Sequence, residues 1–279
     1  MAILLSLLTA AAFGSGDFLG GLAGKRMRVL QVVAVSHLVG LCGITIASLL
    51  LAERFVAGDL AWGALGGCAG GTGIALLYRG LARGPMGVVA PLTAITSASV
   101  PAVFGVVGNG ERLALLAWIG VALALVAIGL VSATTPGTGE RLTPRATGEA
   151  LLAGVGFGLM FVALDQTDAA SAPWPIVGAR LLTSTLLVLV FVLRRERIVP
   201  ADAGDRRLLL GAGLIDTGSN AMFLYANEQG ALTIVAVLSS LYPVATVFLA
   251  RVVLGERLTR TQQLGFVTAL VATGLIAAG

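Results

Sequence analysis

Long apolar stretches alternate with short polar ones along almost the whole chain. Each apolar stretch is close to the ~20 residues that an α-helix needs to cross the hydrocarbon core of a bilayer. Continuous apolar runs favour membrane-spanning helices over a transmembrane barrel, which would show short alternating strands. The pattern predicts ten spans, at Ile3–Leu22, Val29–Leu51, Leu60–Tyr78, Met86–Val107, Leu113–Ala133, Gly148–Leu164, Trp174–Leu193, Leu208–Ala226, Ala231–Val253 and Gln262–Ala278.

The composition supports this interpretation. Of 279 residues, 57% are hydrophobic and 11% are charged, whereas soluble domains carry about 25% charged residues. The net charge of +4 resides mainly in connecting loops, so it gives no argument for nucleic-acid binding. Cys42 and Cys68 fall inside apolar segments, which favours packing over a disulfide. The sequence shows no catalytic triad, phosphate loop or metal-ligand spacing, so we expect no enzyme, cofactor or metal site.

The two halves of the chain resemble each other. A Gly-Glu-Arg-Leu motif separates two apolar segments at 110–113, and the same motif does so 145 positions later, at 255–258. A Phe-Gly pair at 13–14 recurs at 157–158, with a similar offset. We infer an internal duplication, and we expect both Gly-Glu-Arg-Leu motifs to be structural, with Glu111 and Glu256 complementing helix N-termini.

The duplication predicts how the halves are oriented. The first repeat is residues 1–133, a polar linker is 134–147, and the second repeat is 148–279. Because five spans is an odd number, a five-helix unit followed by its copy places the copy upside down in the membrane. The expected fold is therefore an all-α membrane protein, with ten transmembrane helices as two inverted five-helix repeats. Such repeats are typical of alternating-access carriers, whose substrate site lies near the midplane between them.

Basic residues predict the orientation. Fifteen Lys and Arg residues lie in or beside the connections that follow the odd-numbered spans, on what we call the basic face; only Arg54 and Arg112 lie on the opposite face. The positive-inside rule puts the basic face in the cytoplasm and both termini outside. With 17 Arg to one Lys, the composition suits a bacterial inner membrane.

These motifs resemble those of the EamA-type drug/metabolite transporters. The resemblance rests on the paired Gly-Glu-Arg-Leu motifs, on Phe13-Gly14-Ser15-Gly16, on the Leu-Tyr pairs and on Leu241-Tyr242-Pro243-Val244. It covers both halves and implies ten helices and movement of small solutes, often export. The first repeat departs from it, with Thr96-Ser97 in place of Tyr242-Pro243 and His37 near where the second repeat carries Arg180.

Two polar residues inside the first two spans are candidates for a gate. Asp17 and His37 lie at similar depth, ~9 and ~12 Å from the basic face, on helices adjacent in sequence. Charged side chains at this depth must face protein or water. A hydrogen bond that only fixes two helices and a gating or proton-sensitive role are both open.

The second repeat supplies the candidate substrate site. Arg180 and Asp216 lie on consecutive helices at depths that an extended Arg side chain can bridge. Ser219 and Asn220 share a helical face with Asp216, and Tyr242 lies mid-span before Pro243, which can kink the helix. The alternative is that Arg180 and Asp216 form an ion pair that only stabilises the fold and binds no substrate.

The sequence thus predicts a secondary carrier of small metabolites, amino-acid-like or otherwise polar or amphipathic, with export expected. A zwitterion could place its carboxylate on Arg180 and its amine on Asp216. Multidrug efflux, sugar uptake and a non-transporting membrane scaffold or intramembrane enzyme are the alternatives. The expected partners are a small-molecule substrate and the lipid bilayer. A homodimer is compatible with the sequence, and no nucleic-acid partner is expected.

Overall fold

The helices begin and end close to the predicted apolar segments. The computed structural model describes residues 1–24, 26–81, 86–132, 143–200, 202–255 and 258–279, so most of the predicted linker and Glu256-Arg257 lie outside the described residues. Its helices are α1 (Ala2–Gly24), α2 (Val29–Leu51), α3 (Ala57–Leu81), α4 (Met86–Val107), α5 (Leu115–Ser132), α6 (Pro144–Asp165), α7 (Trp174–Arg194), α8 (Ala203–Asn227), α9 (Leu232–Ser239), α10 (Tyr242–Leu254) and α11 (Arg260–Ala278).

Most of these helices can cross a membrane. Eight segments of the described chain are long and apolar enough, with α9 and α10 counted together as Leu232–Leu254. The apolar part of α4, Leu92–Val107, is shorter, and α8 is not among the eight because polar residues occupy its centre. Within the described ranges the chain is an all-helical, multi-pass membrane protein. The count of ten spans stays a prediction.

The ninth apolar segment is broken in its middle. α9 ends at Ser239, a turn follows, and α10 begins at Tyr242. Pro243 lies in the first turn of α10, where its missing N–H sacrifices no helical hydrogen bond. The kink predicted at Pro243 is therefore present as a two-residue turn between α9 and α10. Non-helical backbone at membrane depth is stable only where protein or a water-filled cavity surrounds it.

The helices pack as two groups that each draw from both halves of the chain. In the first group, α3 and α4 pack on α6, and α3 also packs on α7. In the second group, α8 packs on α1 and α2, and α1 also packs on α9 and α10. α5 packs along α11, while α2–α7 and α4–α9 contacts join the groups. Exchanging the two halves of the chain converts one group's packing into the other's, as a duplication would produce.

Glycines allow the close helix approaches. At the α5–α11 contact, a Cβ on Gly120 would lie 2.9 Å from the carbonyl oxygen of Ala272, and one on Gly265 would lie 2.7 Å from the backbone nitrogen of Val131. In lipid, where apolar burial drives little association, such approaches gain dispersion contacts. Cys42 and Cys68 are free thiols, but both side chains are exposed, whereas the sequence suggested packing residues.

Glu111 contacts a helix N-terminus, as expected of the first Gly-Glu-Arg-Leu motif. The helix is not the one that follows the motif but α9, in the other half. The Glu111 carboxylate accepts hydrogen bonds from the backbone N–H groups of Leu232 (2.5 Å) and Thr233 (3.1 Å). These donors have no partner within their own helix, so the carboxylate both satisfies them and complements the helix dipole.

Candidate functional site

A cavity of about 210 Å³ lies in the middle of the molecule, between the two helix groups. Eight helices contribute to its wall, four from each half of the chain. Leu164 at the end of α6 and Ile176 at the start of α7 line the cavity and belong to a buried cluster with Phe223 and Leu232. The cavity wall brings together residues from α1, α2, α7, α8 and α10 that the sequence singled out.

Arg180 is the most heavily bonded of these side chains. Its Nη2 donates to Asp216 Oδ2 (2.5 Å), its Nη1 contacts His37 Nε2 (3.1 Å), and its Nε donates to Thr217 Oγ1 (3.0 Å). Arg180 is 8% exposed, so these contacts are shielded from water and the charge-assisted ones are strong. The predicted Arg180–Asp216 pair therefore exists, and it joins α7 in the first helix group to α8 and α2 in the second.

The hydrogen bonds around His37 fix the protonation of its ring. The Thr183 hydroxyl donates to the Ala179 carbonyl (2.9 Å) and lies 2.9 Å from His37 Nδ1. That hydroxyl must then accept from Nδ1–H, which leaves Nε2 as the acceptor for Arg180. His37 is consequently neutral, with its proton on Nδ1. A second proton would set two donors, Nε2–H and the guanidinium, against each other.

The predicted Asp17–His37 pair does not form. α1 packs mainly on α8, α9 and α10 and only slightly on α2, so Asp17 faces the cavity while His37 faces α7. Asp17 has accessible surface and, among the described residues, no hydrogen-bond or ion-pair partner. Adjacency of two helices in sequence did not make them neighbours in space. Asp17 is therefore a carboxylate available to a ligand.

The other predicted residues divide between cavity and packing. Asp216, Asn220 and Tyr242 line the cavity, and the Asp216 side chain is 36% exposed although it pairs with Arg180. The Asn220 amide donates to the Asp216 carbonyl (2.8 Å). Ser219 is fully buried outside the lining and donates to carbonyl oxygens of its own helix. We leave Ser219 out of the site.

One wall of the cavity is apolar and was not foreseen. It consists of aromatic and aliphatic side chains of α3 and α6: Ile74, Leu77, Phe157, Met160 and Phe161. Phe161 stands in the second repeat where Asp17 stands in the first, at the offset that relates Phe157-Gly158 to Phe13-Gly14. Asp17 and Phe161 thus place a charged and an apolar residue in the same cavity. The sequence signal for this wall was the offset between the two halves, because it pairs the charged Asp17 with the aromatic Phe161.

Thr183 and Thr217 are further site residues that sequence reasoning missed. Both hydroxyls contact the Arg180–His37 pair, and both threonines are nearly fully buried. Thr183 lies three residues after Arg180, and Thr217 follows Asp216 directly. Their spacing from the charged residues was visible, but the contacts depend on how α2, α7 and α8 meet.

Comparisons with known proteins agree with this fold. A solved structure whose title reads "Crystal structure of protein" is 19% identical to this chain, with a TM-score of 0.79 over 98% of this chain and 95% of that one. At this identity the likeness establishes the shared fold alone. A search of curated proteins found no match. The family model described as "EamA-like transporter family" matches residues 148–278, the predicted second repeat.

That match covers the half of the chain that contributes Arg180, Asp216 and the broken α9–α10 segment to the cavity. Residues 148–278 therefore resemble the EamA-like transporter family, and together with the membrane-spanning helices this match supports a multi-pass membrane transporter of the drug/metabolite transporter superfamily.

Proposed function

We propose that the chain is a secondary carrier that moves a small amphipathic solute, by alternating access, through the central cavity. The observation that carries this proposal is the cavity itself, which is enclosed by helices of both halves and charged on one wall only. Ten spans in two inverted repeats, an inner-membrane location and export are parts of the same proposal. Reciprocal packing of the halves supports the repeats, and the site between them is where such carriers bind substrate.

The charges of the cavity favour an amine as the polar end of the substrate. Asp17 and Asp216 are carboxyl groups, Arg180 is a cation, and His37 is neutral by its hydrogen bonds, so with both carboxyl groups ionised the wall carries one net negative charge. Three of the five Arg180 N–H donors are already engaged. An ammonium group can bind Asp17 directly, without displacing an existing partner. The substrate's apolar part would then lie against Phe157, Met160 and Phe161.

An amino-acid-like zwitterion fits this wall less well than the sequence suggested. Its amine can bind Asp17 and the exposed edge of Asp216, but its carboxylate must use the two N–H groups that Arg180 has left. We therefore rank a small amine with an apolar body first, and a zwitterion second.

Multidrug efflux is a second candidate, favoured by the aromatic lining. Besides the accessible carboxylate of Asp17, four rings line the cavity: Phe13, Phe157, Phe161 and Tyr242. However, its volume of about 210 Å³ is below the ~300–1,000 Å³ of pockets for drug-sized ligands. The size of the cavity favours a metabolite over a drug.

The Arg180 cluster gives the carrier a link between its moving parts. Arg180 extends from the first helix group to Asp216, Thr217 and His37 of the second. Rocking of one group against the other must rearrange these bonds. An ammonium that approaches Asp216 competes with Arg180 for the same carboxylate, which would couple binding to the link between the groups.

A ligand screen tests the proposal. Phenethylamine, phenylalanine, phenylpropionate and glucose are added to the detergent-purified chain, and the melting temperature is measured. The amine should stabilise most, the zwitterion less, and the acid and the sugar not at all, because only a ligand bound to the folded state raises the melting temperature. Asp17→Asn should lose the stabilisation by the amine, and Glu53→Gln, which removes an equal charge outside the cavity, should keep it. Stabilisation by phenylpropionate, or an unaltered response in Asp17→Asn, would contradict the proposal.

A further inference from the structure

A second cavity lies at the basic face, away from the central site. Its volume is about 440 Å³, and it lies between the α1–α2 connection and the α7–α8 connection. Its wall consists of three arginines, one glutamate, one glutamine and two apolar side chains: Arg26, Met27, Arg28, Gln31, Phe191, Glu196 and Arg197. None of these residues belongs to the transport site proposed above.

The backbone builds this cavity through a left-handed turn at the end of α7. Arg195 has φ 53°, and the N–H of Glu196 donates to the Phe191 carbonyl (3.1 Å). The chain is thereby reversed over the start of α2, where the Gln31 amide donates to the Ile198 carbonyl (2.9 Å). These contacts hold the end of α7 against the start of α2.

Its charge is predominantly positive. Arg28 pairs with Glu196 (3.0 Å), while Arg26 is 3.7 Å from Asp205, outside the cavity lining. The side chains of Arg26 and Arg28 are 67% and 74% exposed, so both can turn to a ligand. Arg197 has no ion-pair partner within the described part of the chain. The lining residues thus sum to two positive charges, around one carboxylate.

Its floor is apolar. Phe191, in the last turn of α7, is 2% exposed, and Met27 packs on the small buried cluster at the end of α1. On the outer side of α7, Val192 and Leu193 are 63% and 73% exposed, as lipid-facing residues are. A cationic rim over an apolar floor, at the end of spanning helices, matches the headgroup and glycerol region of a lipid. A free phosphate would use the rim only.

We propose that this cavity binds the phosphate headgroup of an anionic phospholipid. Arg28 and Arg197 would contact the phosphate, Met27 and Phe191 the first carbons of the lipid, and Glu196 would be displaced from Arg28. The cavity joins the α1–α2 connection to the end of α7, which belong to different helix groups. A bound lipid therefore bridges the two groups on this face.

Binding is measured on the purified full chain by native mass spectrometry, with phosphatidylglycerol and phosphatidylcholine titrated separately. Phosphatidylglycerol should bind more tightly. Each arginine near anionic lipid contributes about 1 kcal/mol, so Arg28→Gln with Arg197→Gln should weaken phosphatidylglycerol binding about 30-fold. Arg206→Gln with Arg207→Gln removes the same charge from the same face but outside the cavity, and this control should bind like the unchanged protein.

Glu196→Gln provides a test that leaves every arginine in place, should the double variant fail to fold. It removes the competing carboxylate and should tighten phosphatidylglycerol binding. Equal losses in the two double variants, unchanged binding in Arg28→Gln with Arg197→Gln, or weaker binding in Glu196→Gln would each overturn the site. Displacement of phosphatidylglycerol by an equal concentration of inorganic phosphate would overturn the lipid as its occupant.

Discussion

Arg180 has a role that depends on its shape as much as on its charge. Its planar guanidinium group contacts Asp216, His37 and Thr217 at the same time, and the residue is only 8% exposed. A lysine ammonium at the same depth could hold one of these partners but not all three. The single substitution of greatest interest is therefore a conservative one.

Arg180→Lys should retain the fold but lose function. The charge that balances Asp216 is kept, so the melting temperature should fall much less than in Arg180→Ala, while the link between the helix groups is lost and flux should fall steeply. Both are measured on one preparation, in detergent and in liposomes. Normal flux in Arg180→Lys would show that transport does not need the guanidinium group.

Arg180 and Asp216 should also be coupled energetically. Each single change to alanine leaves a charge without its partner inside the membrane, so the double change should cost less than the sum of the two single changes, by about 0.5–3 kcal/mol. Melting temperatures of the three variants and the unchanged chain complete the cycle. Simple additivity would mean that the 2.5 Å contact does not contribute to stability.

At this scale the sequence predicted the charged residues better than their pairing. Depth along the helices was enough to pair Arg180 with Asp216 because the long Arg180 side chain spans the gap between α7 and α8, which themselves make little contact. The same reasoning failed for Asp17 and His37, since the partner of α1 is α8, far along the chain. The apolar wall at Phe157 and Phe161 was hidden because aromatic residues in a membrane helix also face lipid.

At the scale of the helices, glycine residues determine which helix surfaces can pack closely together. Gly265 on α11 faces the backbone of α5, whereas a methyl group added to Gly274 on the same helix would have nothing within 4 Å. The turn between α9 and α10 was visible in the sequence as the kink expected at Pro243.

Gly265→Ala should destabilise the chain, and Gly274→Ala should not. The added methyl group on Gly265 must displace the Val131 backbone. Such overpacking usually lowers the free energy of unfolding by about 1–3 kcal/mol. The same change at Gly274 meets open space and improves helix propensity by about 0.8–1 kcal/mol. Melting temperatures in detergent compare the two. Equal effects would show that the α5–α11 approach is not close.

The distribution of basic residues predicts how the whole molecule is oriented in the membrane, and a fused reporter can test that orientation. Fifteen basic residues on one face against two on the other predict that the basic face is cytoplasmic. A reporter active only in the cytoplasm should be active when fused after Arg197 and silent when fused after Gly279. The reverse pattern would invert the orientation and leave the helix packing unaffected.

The central claim is that solute crosses the membrane through the cavity that Asp17 lines. Its most direct test is exchange of labelled phenethylamine across liposomes that contain the purified chain, with unlabelled amine inside. The unchanged chain should accelerate uptake above protein-free liposomes, and Asp17→Asn, folded and inserted to the same extent, should not. Equal uptake by the two proteins, or no uptake above protein-free liposomes by either, would contradict the account.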